Sequence, residues 1–76
     1  MHITVKLFAQ YREGRFKEAL LQYPEGTSAK EVVVDLDIHT SPFPLGVLML
    51  NGRHELEEVM LQEGDTLSLF PKVGGG

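Results

Sequence analysis

The sequence predicts a small α+β domain, a mixed sheet of four to five strands with one main helix packed across one face. Three observations carry this reading. Residues 3–7 and 66–70, near the two ends of the chain, alternate apolar and polar side chains with the period of a half-buried strand. Residues 28–36 carry a helix cap followed by apolar positions at helical spacing. The other apolar runs are punctuated by turn residues at Pro24-Glu25-Gly26, Asn51-Gly52 and Gly64-Asp65.

Taken in order, Ile3, Val5 and Leu7 alternate with Thr4, Lys6 and Phe8 and predict the first strand. Arg12-Glu13-Gly14-Arg15 is a polar break, and residues 16–23 form a second strand at hairpin distance. Ser28 and Glu31 have the capping-box spacing, and Ala29, Val32, Val33 and Leu36 then fall on one helical face. The run Val32-Val33-Val34 has poor helix propensity and also fits a strand; cap and spacing favour the helix. Residues 39–44, with two prolines, are irregular. Residues 47–50 are a third strand, which Asn51-Gly52 turns through a type I′ hairpin into a short fourth strand at 54–56. Residues 57–62 have room for one helical turn, and Gly64-Asp65 leads into the last strand, 66–70. Asp65 is expected to set this turn by capping its own following backbone. The chain between the first and last strands is long enough to cross over, so these two pair in parallel at the centre, the β-grasp arrangement.

Composition bounds the function. Seventy-six residues make one small domain, and the absence of cysteine excludes disulfides, thiolate metal sites and a thiol nucleophile. The net charge is −4 and the seven Lys and Arg residues are scattered, which argues against a nucleic-acid partner. No segment has the apolar length of a signal peptide or membrane span, so a cytoplasmic protein is expected. His2, His39 and His54 have no metal-ligand spacing and read as isolated surface residues. Glu55, Glu57 and Glu58 read as a solvated acidic face, with a basic partner surface as the alternative. No nucleophile–base pair is visible, so an enzyme acting alone is not expected.

The sequence ends Pro71-Lys72-Val73-Gly74-Gly75-Gly76. Glycine loses the most backbone entropy when ordered, so folding has no use for this ending. A chain end without Cβ atoms does suit threading into a narrow site of another protein. Residues 73–76 are therefore expected to be a flexible arm of about 13–14 Å when extended, attached to a domain formed by residues 1–72. The carboxylate of Gly76 is inert until activated; an acyl adenylate made with ATP would let sulfur or nitrogen attack its carbonyl.

That ending resembles the Pro-Pro-Val-(Ser/Thr/Ala)-Gly-Gly ending of the MoaD/ThiS family of ubiquitin-like sulfur carriers. Gly64-Asp65-Thr66-Leu67-Ser68-Leu69-Phe70 resembles the family's Gly-Asp-Glu-Val-Ala-Phe-Phe run, and Leu50-Asn51-Gly52 its Val-Asn-Gly turn. The stretch from Val5 to Glu13 is similar to the start of the molybdopterin synthase small subunit. Together these segments span nearly the whole chain in matching order. The resemblance implies a ubiquitin-like β-grasp protein with no catalysis of its own and no bound cofactor or metal. It also implies three partners: a ubiquitin-activating-like enzyme that adenylates Gly76 using Mg-ATP, a persulfide sulfur donor, and an acceptor such as the molybdopterin synthase large subunit. Val73, Gly74, Gly75 and Gly76 would enter the partner, with Gly76 becoming the thiocarboxylate. Lys72 stands in place of the second proline, making the base of the tail less stiff. Pro71 is expected to stop strand pairing by lacking an N–H.

Alternation places Phe8 and Phe70 on the sheet face opposite the helix, at the end nearest the tail. An aromatic patch there suits docking of the partner that receives Gly76, with Lys72 beside it. The alternatives are that loop 42–45 covers one or both rings, or that a strand end twists one inward. Three functions remain in view. One is a sulfur carrier for molybdopterin, thiamine or another pathway. The second is a protein modifier conjugated to lysines through Gly76. The third is a binding module resembling a TGS domain, which leaves the Val-Gly-Gly-Gly ending unexplained.

Overall fold

Alternation in β1 (His2–Leu7) sends Ile3, Val5 and Leu7 to one face, where all three are fully buried. In the computed structural model, which describes residues 1–72, β5 (Thr66–Pro71) does the same with Leu67 and Leu69. The expectations for Val73, Gly74, Gly75 and Gly76 lie outside the described residues. β1 and β5 pair in parallel, from Thr4 opposite Thr66 to Leu7 opposite Leu69. β2 (Glu18–Gln22) lies antiparallel to β1, β3 (Leu45–Leu50) lies antiparallel to β5, and β4 (Arg53–His54) closes the far edge. Among the described residues, the strand order β2-β1-β5-β3-β4 with one α-helix is the β-grasp arrangement expected from the sequence. Each fully buried Leu, Ile or Val contributes roughly 1.5–3 kcal/mol, so these central strands carry much of the stability.

α1 (Ala29–Asp35) settles the ambiguity of the valine run in favour of helix. The Glu31 N–H donates to Ser28 Oγ (3.3 Å) and the Ser28 N–H donates to Glu31 Oε1 (3.2 Å), a complete capping box. Ala29, Val32 and Val33 are buried against the sheet, and this packing offsets the poor propensity of a β-branched run. At the other end no glycine is available, so Asp37 takes the left-handed conformation (φ 58°). The Arg15 Nε donates to the carbonyl of Leu36 (3.0 Å), placing a cation on the negative end of the helix.

Several local expectations need correction. Residues 57–62 form no helical turn: Glu57 and Glu58 make a β-turn, and Met60 then bridges Ser28 in extended geometry. The Leu61 N–H donates to the Thr27 carbonyl (2.9 Å) and Leu61 is buried, so pairing to the chain before α1 outweighs local helical preference. β2 begins at Glu18 rather than 16, β3 begins at Leu45 rather than 47, and β4 stops at His54 rather than 56. Asp65 does not cap its following backbone. Its Oδ2 accepts from the Gln62 N–H (2.8 Å) and its Oδ1 from Asn51 Nδ2 (2.8 Å), while the Thr66 N–H donates to Asn51 Oδ1 (2.9 Å). The Asn51-Gly52 turn does have the type I′ signature, with φ of 52° and 81°.

A short 3-10 helix, Ala9–Arg12, was not expected from the polar break that follows it. It inserts Tyr11 fully into the core, where its hydroxyl donates to the Phe43 carbonyl (2.8 Å) and ties loop 42–45 down. Residues 38–44 include another 3-10 turn, Ile38–Thr40, with Ile38 buried. Among the described residues, no helix is long and apolar enough to cross a membrane.

Two stability measurements follow from these contacts. Tyr11→Phe keeps the ring but leaves the Phe43 carbonyl without its donor, and is expected to cost about 1–2 kcal/mol as a lower urea midpoint at unchanged slope. At the opposite pole, the backbone N–H of His2 donates to Glu63 Oε1 (2.9 Å) and, as the largest influence, holds this exposed carboxyl below its usual range. A lowered folded value stabilises the fold above the unfolded value near 4.5 and loses that contribution as pH falls through the folded one. The gap in urea midpoint between the wild type and Glu63→Gln is therefore expected to narrow from pH 6 to pH 3.

Candidate functional site

The sheet face away from α1 carries the residues that alternate with the core. Because β1 and β5 run in parallel, their carboxyl ends coincide, and Phe8 and Phe70 meet there. Their ring centroids lie 4.1 Å apart with an interplanar angle of 14°, a stacked pair. The Phe8 N–H donates to the Leu69 carbonyl (3.2 Å), so the first ring is held by an extension of the β1–β5 ladder. Arg12 lies across it, with Cζ 5.2 Å from the Phe8 centroid and Nε donating to the Leu7 carbonyl (2.7 Å). Ala9 then leaves the strand direction with φ of 51°, a left-handed conformation that costs a non-glycine residue about 1 kcal/mol. That turn delivers Tyr11 to the core while Phe8 stays on the open face.

β3 supplies the opposite wall. Val47 stands opposite Phe70, and Met49 opposite Ser68, while Leu48 and Leu50 point to the core. Together Phe8, Ala9, Val47, Met49, His54, Phe70 and Pro71 line an open groove of about 420 Å³. No residue of loop 42–45 lines it; that loop is held on the core side by Tyr11 and Phe43. Both residues are half-buried, so part of each remains accessible for contact.

The end of β5 differs from expectation in one respect. Pro71 ends pairing toward β1, where the Phe8 carbonyl instead accepts from the Tyr11 N–H (3.1 Å). Toward β3, pairing continues past the proline: Pro71 stands opposite Leu45, and the Lys72 N–H donates to the Pro44 carbonyl (2.7 Å). Backbone groups alternate sides along a strand, so the missing N–H of Pro71 falls on the β1 side alone. Lys72, exposed, is thus anchored at the same end of the domain as the aromatic pair.

Phe8, Phe70 and Lys72 are the predicted site residues brought to one end of the sheet. His54 joins them on the groove wall, whereas His2 sits at the far pole against Glu63 (3.4 Å) and His39 lies in the 3-10 turn. Among the described residues, no three His, Cys, Asp or Glu side chains are grouped to hold a metal ion. Glu55, Glu57 and Glu58 line a separate shallow hollow beyond β4, together with Leu45 and exposed Leu56. Sequence reasoning missed Arg12, which lies over the Phe8 ring, and also Val47 and Met49, which line the groove. The signal for the last two was present, since Leu48 and Leu50 in the core oblige Val47 and Met49 to face the other way. Apart from His54 the lining is apolar, so the groove offers contact area rather than acid–base or nucleophilic groups.

The sequence matches the ThiS family over residues 5–76. Similar solved structures include a candidate molybdopterin converting factor subunit 1 from Pyrococcus furiosus, at TM-score 0.78 and 23% identity, covering 96% of this chain and 99% of that one. Another is small archaeal modifier protein 1 of Haloferax volcanii, at TM-score 0.77 and 21% identity, covering 95% and 98%. A third is a complex of subunits 1 and 2 of molybdopterin-converting factor from Helicobacter pylori, at TM-score 0.66 and 22% identity, covering 100% of both chains. At these identities the likenesses establish the shared fold. A search of curated proteins finds no significant match.

Replacing both Phe8 and Phe70 with serine removes the stack, worth about 0.5–1.5 kcal/mol beyond area burial. With the core untouched, the double variant is expected to unfold cooperatively in urea at a moderately lower midpoint.

Proposed function

The chain belongs to the ThiS family, and on that premise we propose that it is a ubiquitin-like sulfur carrier whose Gly76 becomes a thiocarboxylate. The observation that carries this reading is a family match running through the glycine ending to residue 76. The anchoring of Lys72 beside an apolar groove supports it, because a partner docked there would find the last residues within reach. In the first step the Gly76 carboxylate oxygen attacks the α-phosphorus of Mg-ATP on an adenylating enzyme, releasing pyrophosphate and leaving an acyl adenylate. The terminal sulfur of a persulfide donor then attacks the carbonyl carbon and AMP departs, giving an acyl disulfide. A second thiol attacks the donor-side sulfur, forming a new disulfide and releasing the thiocarboxylate, –C(O)S⁻. In an acceptor enzyme, most simply the large subunit of molybdopterin synthase, the thiocarboxylate sulfur attacks the bound acceptor, and water then cleaves the acyl C–S bond to restore the Gly76 carboxylate.

In this scheme the chain supplies the carbonyl, a backbone slender enough to thread, and the docking face; every bond-breaking catalyst belongs to a partner. Affinity from the groove has to offset the entropy lost when residues 73–76 become ordered in the complex. A protein modifier conjugated to lysine through Gly76 shares the same adenylate and is favoured by the likeness to the archaeal modifier. In that case the lysine amine attacks where the persulfide otherwise would.

Intact mass after incubation with an adenylating enzyme, ATP and a persulfide donor tests the carrier reading. The expected gain is one oxygen-to-sulfur exchange, lost on deleting Gly76. An unchanged mass with an isopeptide ladder on target lysines selects the modifier; neither product rejects both. With the Phe8→Ser/Phe70→Ser variant, the carrier concentration giving half-maximal adenylation is expected to rise about tenfold or more, as loss of a docking anchor does.

A further inference from the structure

Gly46 is the extra residue of a β-bulge: Leu45 stands opposite Pro71 and Val47 opposite Phe70, with Gly46 between them unpaired. The bulge re-aims β3, so that Leu45 packs on the core while Val47 faces the groove. Gly46 also sits directly against the end of β5. A Cβ added there would lie 2.6 Å from Lys72 Cα, 2.7 Å from Lys72 N and 3.1 Å from the carbonyl carbon of Pro71. All three atoms are backbone, so no side-chain rotation relieves the overlap. The φ of Gly46 is not in the left-handed region, so what requires glycine here is space rather than backbone freedom. Gly14, Gly26, Gly52 and Gly64, by contrast, have open space where a Cβ would stand. Gly46 is therefore the described glycine whose missing side chain is occupied by the strand that leads to the tail.

We infer that Gly46 is a positioning residue for the activation of Gly76, a role that rests on the carrier reading above. By letting the backbone of Lys72 lie flat on β3, it allows the Lys72 N–H to reach the Pro44 carbonyl at 2.7 Å. This clamp sets the point from which residues 73–76 continue, relative to the groove on which the partner docks. Groove and clamp share β3 and the end of β5, so a partner seated on one is registered to the other. A side chain at 46 pushes Lys72 off β3 and shifts the starting point of the tail, while Phe8, Met49 and Phe70 keep the docking face. Misplacement of a reacting group by about 1 Å can cost on the order of 100-fold in rate.

The test is ATP–pyrophosphate exchange by a ubiquitin-activating-like adenylating enzyme, measured against carrier concentration for the wild type and Gly46→Ala. The expected result is a kcat lowered about tenfold or more, with KM for the carrier within about twofold and a cooperative urea transition. An unchanged kcat, or a rise in KM alone, overturns the positioning role and leaves the carrier reading standing. No exchange with the wild type removes both together. If Gly46→Ala does not fold, a glycine inserted between Lys72 and Val73 decides, because it keeps the clamp but displaces the terminus from it. The insertion is expected to lower kcat at unchanged KM, and an unaffected kcat overturns the proposal. Independently, the Lys72 amide of the free wild type is expected to exchange at least about tenfold more slowly than an unstructured amide; an unprotected amide overturns the clamp.

Discussion

The parallel pairing of β1 with β5 is the constraint on which the rest of the molecule depends. It places residues from the two ends of the sequence side by side in the sheet centre, with Ile3, Val5, Leu7, Leu67 and Leu69 buried on one face. A parallel pair needs a crossover, and α1 with its connections provides it on the buried face. The same pairing decides the geometry of the open face. Strands running the same way end together, so the residue after β1's last core leucine and the one after β5's meet as a stacked pair. An antiparallel pairing would have placed Phe8 and Phe70 at opposite ends of the sheet.

Around that centre, the two sides of β5 are finished differently. On the β1 side, Pro71 ends the ladder and frees the Phe8 carbonyl for the 3-10 helix that buries Tyr11. On the β3 side, the bulge at Gly46 admits the Lys72 backbone and prolongs the ladder by one hydrogen bond. The apolar groove and the root of the tail are consequently built from neighbouring residues of β3 and β5. On the proposed carrier reading, a partner seated on the groove would also be registered to Lys72, the residue from which the tail continues.

Polar groups hold the less regular parts in place. Asn51 and Asp65 exchange side-chain and backbone hydrogen bonds across two turns at the pole away from the tail, locking the β3–β4 hairpin to the start of β5. Arg15 binds the carbonyls of Leu36 and Tyr11, tying the end of α1 to the 3-10 helix. Among the described residues no buried side-chain nitrogen or oxygen lacks a partner. Polar satisfaction of this kind matters in a chain of 76 residues, where the core leaves little surplus stability.

Much of the architecture was legible in advance because its determinants are local. Period-two alternation marks β1 and β5, Ser28 with Glu31 marks the start of α1, and Asn51-Gly52 strongly favours the left-handed backbone of a type I′ turn. The aromatic pair was legible one step further on, from alternation combined with a parallel register. What the sequence by itself could not determine were features set by contacts between distant segments. Residues 57–62 have adequate helical character and are extended because Thr27 and Ser28 pair with them. Tyr11, just before the polar break, gives no local sign of burial; it is core because the 3-10 helix turns it inward and the Phe43 carbonyl receives its hydroxyl. Asp65 has the chemistry to cap the backbone that follows it, but it caps the preceding Gln62 N–H with one oxygen and receives distant Asn51 with the other. Gly46 looks like any glycine at the edge of an apolar run; only the approach of Lys72 in three dimensions shows what its missing side chain makes room for. The chain's local rules determined which elements form and which faces they bury. Tertiary structure decided where the last strand ends and where the tail begins, because those depend on backbone groups more than twenty residues apart meeting at hydrogen-bond distance.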